Sequence, residues 1–568
     1  METPGSIIFL PLYIYYTVTD DGPQVHMQGK TESGEEVECT VSGHLHYFYI
    51  SKVPGEIINE ESLKKVHKEI VKISTVIKSN IYGYSEGENE YYQIYVRTPK
   101  LIQSVCTAVK EHFIRIDRTH EPRNVFETNI GYIIRFMVDT GLVGMGYVEV
   151  LPETQEHKNN KLLLTADSTK ISPNKSVVKL PPIKILSLDI ECIGEDNKFP
   201  TPQHDPVVQI GNAVAVYPSP VIIEKVLFCT RPTNPIPGVT IFSFMDEKEM
   251  LTAWSQWVSA LNPDVLTGYN ITQFDMPYLL NRAKALGLTK FKYFSRTDEP
   301  AETTQGLFKQ DSNNSNKNGD AKNSTSNEQK SGFTAPALLV VPGRLVFDML
   351  DIVKKEFKLH SYSLNAVSSV FLGEQKEDVH YTQIKPLYNG TDETRKRLGV
   401  YCLKDTYLPI RIMYTKNLFI NYCELARVTG VPVEFLVNRG QGIRVLSQLL
   451  RQAKKYNYIL PVIIGAEETY EGGYVMEPNR GFYSNPVVVL DYASLYPSII
   501  MAYNLCYTTL LSKEQVAHMD KDDYTESPTG DYFLRREKKP GLLPVILTSL
   551  LEGRKPCVQS LRTQKIPN

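Results

Sequence analysis

The chain has 568 residues, 42% hydrophobic and 22% charged, with a formal net charge of -2. At roughly 150 residues per domain this length implies three or four domains, which excludes a single small module and a chain disordered throughout. The near-neutral balance also excludes a broad basic coat, so nucleic acid would have to be met through a local positive surface.

The apolar start "IIFLPLYIYYTV" lacks the basic flank and small-residue cleavage site of a signal peptide and reads as the first strands of a domain. No run is long and uncharged enough to predict a membrane span. Alternating pieces such as "EVECTVSGHLHYFYI" and "YYQIYVRTPK", with one helical stretch near 62–80, predict a mixed, β-rich domain over 1–180. From 183 the strands "IKILSLDIEC", "DPVVQIGNAVAVY" and "VIIEKVLFCT" lead into the helix "EKEMLTAWSQWVSAL", which predicts an α/β domain over 181–410. It is interrupted by an Asn-, Ser- and Lys-rich insertion at 308–332, too polar to hold itself in a core and expected to be disordered. A helical linker region is expected over 411–480, ending the helices that run through "VLSQLLRQAKKY". The apolar strand "PVVVLD" and the helix after it open a last domain over 481–568. Eight cysteines are scattered without a CxxC pair, so spacing encodes neither a disulfide framework nor a zinc ribbon.

Three acidic motifs stand out in the α/β domain. Asp189 and Glu191 are two apart in "LSLDIEC", so a strand points both carboxylates to one face, where they repel unless a cation or proton compensates. Asp275 stands just ahead of a helix opened by Pro277, beside Tyr269, Asn270 and Phe274. Tyr401 and Asp405 are one helical turn apart and able to face one pocket. Taken singly, each motif has a plain structural explanation: a strand end open to water, a capping aspartate, a tyrosine over apolar surface. Asp348 in "GRLVFDMLDIV" is a further acid near a strand-to-helix boundary and reads as having a structural or capping role. Taken together, folding could set four carboxylates around two divalent ions, a geometry that activates water and neutralises the leaving oxygen of a phosphodiester. Tyr401 could then orient the water, Asn270 hold the terminal nucleotide, and Phe274 stack on a base without choosing among bases.

These residues resemble the catalytic subunits of the delta branch of family B DNA polymerases. "SLDIEC", "DPVVQI", "NPDVLTGYNITQFDMPYLLNRA", "SYSLNAVSSVFLGEQKEDV" and "YCLKDTYLPIRI" look like the proofreading domain of that family in the same order. "RGQGIRVLSQLLRQA", "YEGGYVMEPNRGFY", "LDYASLYPSIIMAYNLCYTTLL" and "KKPGLLPVILTSLLEGRK" look like the region that follows. The resemblance implies an α+β multidomain fold: a mixed N-terminal domain, an RNase H-like α/β 3'-5' exonuclease domain, and an incomplete palm and fingers. It implies Asp189, Glu191, Asp275 and Asp405 as metal-binding acids, Tyr401 as the tyrosine that assists the water, and Asn270 and Phe274 as DNA contacts.

In the following region it implies Asp491 as a catalytic, metal-binding palm aspartate, with Ser494, Leu495, Tyr496 and Arg554 near the incoming nucleotide. Tyr496 would be the steric gate against a 2'-hydroxyl. Tyr470, Gly472 and Gly473 of "YEGG" would approach DNA by backbone. The likeness stops after Lys555: Val558 stands where a second triphosphate lysine is expected, Pro556 is expected to break the helix, and no "YGDTDS" hairpin carrying a second palm aspartate occurs. The chain as given is therefore expected to be C-terminally truncated, at most an exonuclease; the alternative is a non-catalytic DNA-binding or accessory-protein interaction fragment. The implied cofactor is Mg2+ in a two-metal site, with neither Fe-S nor zinc. The implied partners are a DNA primer-template, a single-stranded 3' end, dNTP, a sliding clamp and smaller polymerase subunits, with no membrane, in the nucleus.

Overall fold

A computed structural model describes residues 5–56, 60–85, 87–118, 122–158, 160–195, 198–304, 338–374, 379–462 and 472–563. The insertion at 308–332 and Tyr470 lie outside the described residues. The chain divides into two compact units, one of Met1–Thr17, Gln24–His44 and Asp139–Arg444, the other of Val18–Pro23, Leu45–Val138 and Val445–Asn568.

In the first unit a mixed six-stranded sheet runs in the spatial order Thr240–Ser243, Ile222–Cys229, Val207–Tyr217, Ile183–Cys192, Val265–Gly268, Leu345–Asp348. Ile183–Cys192 is almost continuously buried because both faces of this sheet are covered. One face receives the helix Glu247–Leu261, which buries Met250, Leu251, Trp254 and Val258 at helical spacing and carries Glu247 and Glu249 in its first turn, where negative charge suits the helix N-terminus. The Trp254 indole N–H donates to Asn212 Oδ1 at 3.0 Å, so the deepest polar group on that strand is satisfied. The other face receives the helix Asp392–Thr415, whose Ile410 packs on Ala213 and Ala215. The small strand residues let the helix come close.

Two features anchor the site-bearing strands. Gly268 ends its strand where an added Cβ would lie 2.6 Å from the Leu188 carbonyl oxygen, so the chain passes the strand of Asp189 closer than any side chain allows. At the foot of the same strand, buried Asp264 accepts from Lys30 Nζ at 2.6 Å and from the Lys184 N–H at 2.6 Å, and pairs with Arg296 Nη2 at 2.7 Å. Burial alone would raise this carboxyl, but Arg296 and Lys30 hold it below its usual value. A seven-stranded sheet built mainly from Ile7–Thr19, Gly22–Lys30, Glu36–Ser42, Tyr147–Val150 and Lys161–Asp167 supplies Lys30.

In the second unit, the strands His46–Ser51, Ile70–Asn80 and Asn89–Val96 belong to a five-stranded sheet, with Phe48, Ile73 and Ile94 packed against Val105, Val109 and Phe113 of the helix Ile102–Asp117. The expected helix near 62–80 is corrected here. Only Glu60–Lys64 is helical, and "IVKISTVIKSN" pairs as a strand, since its β-branched residues lose less freedom on a pleated sheet than in a helix. A second correction concerns "PVVVLD". No strand pairs with 486–491 among the described residues, and Val487, Val488, Val489 and Leu490 are 71–89% exposed; β-branched residues specify a strand only where another strand offers its backbone groups. Further on, the helix Leu542–Thr563 runs through Pro556. Proline removes one backbone donor at a cost of about 3 kcal/mol, which weakens a helix without having to end it.

Candidate functional site

The first unit brings the acids of its three motifs together. Asp189 and Glu191 leave Ile183–Cys192 on the same face, as the period of two requires, and their carboxylates converge with Cys402 Sγ so that the three potential ligand atoms lie within 4.8 Å of one another. Cys402 is carried by Asp392–Thr415, one residue beyond Tyr401 and one turn before Asp405. Its thiol donates to the Asp189 carbonyl at 3.6 Å, which ties this helix to the strand at the height of Asp189.

Asp275 is the first residue of the helix Asp275–Ala285, whose N-cap is Phe274. Its carboxylate does not cap that helix from outside. Instead Oδ1 accepts the Ile190 N–H at 3.0 Å, midway between Asp189 and Glu191. Burial pushes the Asp275 carboxyl well above the usual carboxylate range, the Ile190 N–H opposes this, and the charges of Asp348 and Asp405 push it further up. The Cys402 thiol is likewise pushed well up, by burial first and then by Asp189, Glu191 and Asp405.

A cavity of about 640 Å³ opens beside these acids, lined among others by Glu191, Asn270, Phe274, Lys198 and Lys385. Phe274 meets the exposed ring of Phe199 edge-on, with centroids 5.4 Å apart. Tyr401 is half-buried near Ile384 and Leu387 of the helix Tyr381–Asn389, which also borders the cavity. An aromatic pair, two lysines and a polar amide at the mouth of an acidic recess make a surface on which a base can stack and phosphates can be met.

The remaining sequence candidates lie in the second unit. Gly472 and Gly473 are exposed and outside regular structure. Asp491 is exposed at the end of the unpaired segment, Ser494 is a left-handed N-cap (φ 54°) of the helix Leu495–Ala502, and Leu495 and Tyr496 open that helix. Arg554 is exposed on Leu542–Thr563. Sequence reasoning gave Cys402 no part; its spacing of three from Asp405 was the available signal. For Asp348 a structural or capping role was expected, and this buried carboxylate does both, reaching the loop of Asn270 as well as its own helix.

The Asp189 and Glu191 carboxylates are hard oxygen donors of the kind divalent cations take. The crowding of buried carboxyls that raises Asp275 is the condition a cation relieves.

The profile described as DNA polymerase family B, exonuclease domain, matches residues 123–367, that of DNA polymerase family B matches 431–568, and that of the DNA polymerase delta catalytic subunit-like N-terminal domain matches 49–103. The DNA polymerase delta catalytic subunit of Schizosaccharomyces pombe is 37% identical over 96% of this chain and 51% of its own length, and that of Candida albicans 38% over 95% and 51%. The subunit from Bos taurus is 36% identical over 96% and 51%. The chain thus spans about half the length of the curated relatives it matches. In fold it is similar to the family B DNA polymerase of the archaeon Pyrobaculum calidifontis, with a TM-score of 0.74 at 22% identity, over 98% of this chain and 64% of that one. With two family B profiles along its length and delta catalytic subunits matching 95–96% of it, the chain belongs to family B of the DNA polymerases, in the line of the delta catalytic subunits.

Proposed function

We propose that the first unit removes nucleotides from the 3' end of a DNA strand by Mg2+-dependent hydrolysis, the proofreading arm of a replicative polymerase. The observation that carries this reading is the meeting of Asp189 and Glu191 with Cys402 of the helix that carries Asp405, with Asp275 bonded to the Ile190 N–H between the two acids and raised by the Asp405 charge, beside a cavity lined by Glu191, Asn270 and Phe274. Asp189, Glu191, Asp275 and Asp405 would hold two Mg2+ ions, which when bound supply an activated water and charge neutralisation on the leaving oxygen. Phe274 stacks on the terminal base, Asn270 holds the terminal nucleotide, and Lys198 and Lys385 meet the phosphates. Tyr401 orients the attacking water from the helix it shares with Asp405.

The proposal extends to the second unit by family membership. Asp491 belongs to the palm, Ser494, Leu495, Tyr496 and Arg554 to the nucleotide site, and Tyr470, Gly472 and Gly473 to the DNA path. In the complete family-type protein the substrates are primer-template and dNTP, the partners a sliding clamp and smaller subunits, and the place the nucleus. The division into 1–180, 181–410, 411–480 and 481–568 belongs to the same proposal. Among the described residues no helix is long and apolar enough to cross a membrane.

The test is nucleotide release from a 3'-labelled single strand in Mg2+ by the wild-type chain, Asp189→Ala and Asp405→Ala. Each substitution is expected to cut release at least ~100-fold, the upper range for residues that merely support metal ligands. Equal release by all three refutes the site, and DNA affinity without any release favours a binding role instead.

A further inference from the structure

Asp348 closes the strand Leu345–Asp348 and caps the helix Met349–Glu356. A capping aspartate needs one donor, here the Leu350 N–H at 2.9 Å. Asp348 has three more. The Asn270 N–H donates to Oδ1 at 2.9 Å, and the Thr272 N–H and hydroxyl both donate to Oδ2 at 2.9 Å. These come from 76–78 residues away in the chain, and the side chain that receives them is buried, 1% exposed.

The loop so held is the one that presents the cavity-lining residues. Asn270 has φ 72°, a left-handed conformation that asparagine tolerates but that the surroundings must maintain. Its carbonyl then accepts from the Phe274 N–H at 3.0 Å, which turns the chain so that Phe274 faces the cavity. Upstream, the Tyr269 hydroxyl donates to the Tyr362 carbonyl, a second tie on the same loop. The carboxylate therefore fixes the backbone at two points, and the side chains between and after them meet the cavity.

We propose that Asp348 is a positioning residue for the strand end: it clamps Asn270 and Thr272 so that Asn270 and Phe274 are set for the terminal nucleotide, without itself touching DNA. This rests on reading the cavity as the strand-end pocket. Asp348→Asn keeps the shape but puts an amide against donors: at the Oδ1 position it loses the Asn270 and Leu350 bonds, at the Oδ2 position the two Thr272 bonds, so one side of the clamp opens whichever way the amide turns. Thr272→Val removes only the hydroxyl, with its bonds to Asp348 Oδ2 and, at 3.2 Å, to Asp351 Oδ2, and serves as the milder variant.

The experiment measures kcat and KM for Mg2+-dependent release from a 3'-labelled single strand, the Kd of that strand in Ca2+ by fluorescence anisotropy, and the melting temperature, on the full chain. Asp348→Asn is expected to raise KM and Kd about 10-fold, the value of a hydrogen bond to a charged group, with kcat at saturation little changed. Thr272→Val is expected to shift both the same way by less. In an Asn270→Ala/Phe274→Ala background, Asp348→Asn should add less than about twofold, because its effect passes through those two residues. A fall in kcat or melting temperature with KM and Kd unchanged, or a full 10-fold effect persisting in that background, overturns the clamp. If the wild type binds the strand but releases nothing, the hydrolytic reading falls and the clamp is still judged by Kd; if it does not bind, both fall.

Discussion

Asp264→Asn probes what holds the sheet beneath the site. The substitution keeps a neutral acceptor for the Lys184 N–H but leaves Lys30 and Arg296 facing an uncharged group in a site where the Asp264 side chain is 1% exposed. Removing one partner of a buried ion pair costs about 3–5 kcal/mol, chiefly because the surviving charges stay buried without compensation. Both tryptophans of the chain, Trp254 and Trp257, lie in the helix Glu247–Leu261 of the same unit, so their fluorescence reports this unit alone. With an m-value of about 3 kcal/mol/M in urea, the midpoint is expected to fall by about 1–1.7 M. Adding Lys30→Met should recover part of the loss, since one stranded charge is then gone.

The pH dependence has a definite sign. The folded carboxyl is held below its ordinary value of 3.8, so the stabilisation is complete above that value and disappears as pH falls through the folded one. The gap between wild type and variant should stay constant from neutrality to about pH 5 and close in acid. A midpoint shift under ~0.3 M, or a gap that widens in acid, would refute the reasoning.

Gly268→Ala should cost about 1–3 kcal/mol and lower 3'-end release, because the new methyl meets the Leu188 carbonyl and displaces the loop leading to Asn270; unchanged melting and release would count against the close approach. Phe274→Ala should weaken single-strand binding by about 1–3 kcal/mol equally for all four terminal bases, and a base-dependent loss would deny simple stacking. Cys192 and Cys402, buried with thiols pushed far up, should resist alkylation at pH 8 until the chain unfolds, whereas rapid labelling of either in the native chain would contradict their burial.

What could be read from the sequence followed local periodicity. Glu247–Leu261 announces itself by apolar residues at helical spacing, and Asp189 and Glu191 by a spacing of two inside an apolar run. Tyr401 and Asp405 share a helix face for the same reason. Contacts made across long loops left no such trace. Asp348 looks like a capping acid until the fold brings Asn270 and Thr272 to it, and Cys402 looks like one scattered cysteine until its helix lands on the strand of Asp189. Where the reading went astray, at Ile70–Asn80 and Val487–Leu490, tertiary surroundings decided: the first run found a neighbouring strand to pair with, while no strand pairs with the second among the described residues.

The most direct measurement is anomalous diffraction from crystals of the chain soaked in Mn2+, a stand-in for Mg2+. Two peaks about 4 Å apart, bounded by the carboxylates of Asp189, Glu191, Asp275 and Asp405 and lost in Asp275→Ala, are expected. Ordered crystals that take up Mn2+ elsewhere but show no density among these four acids would contradict the account at its centre.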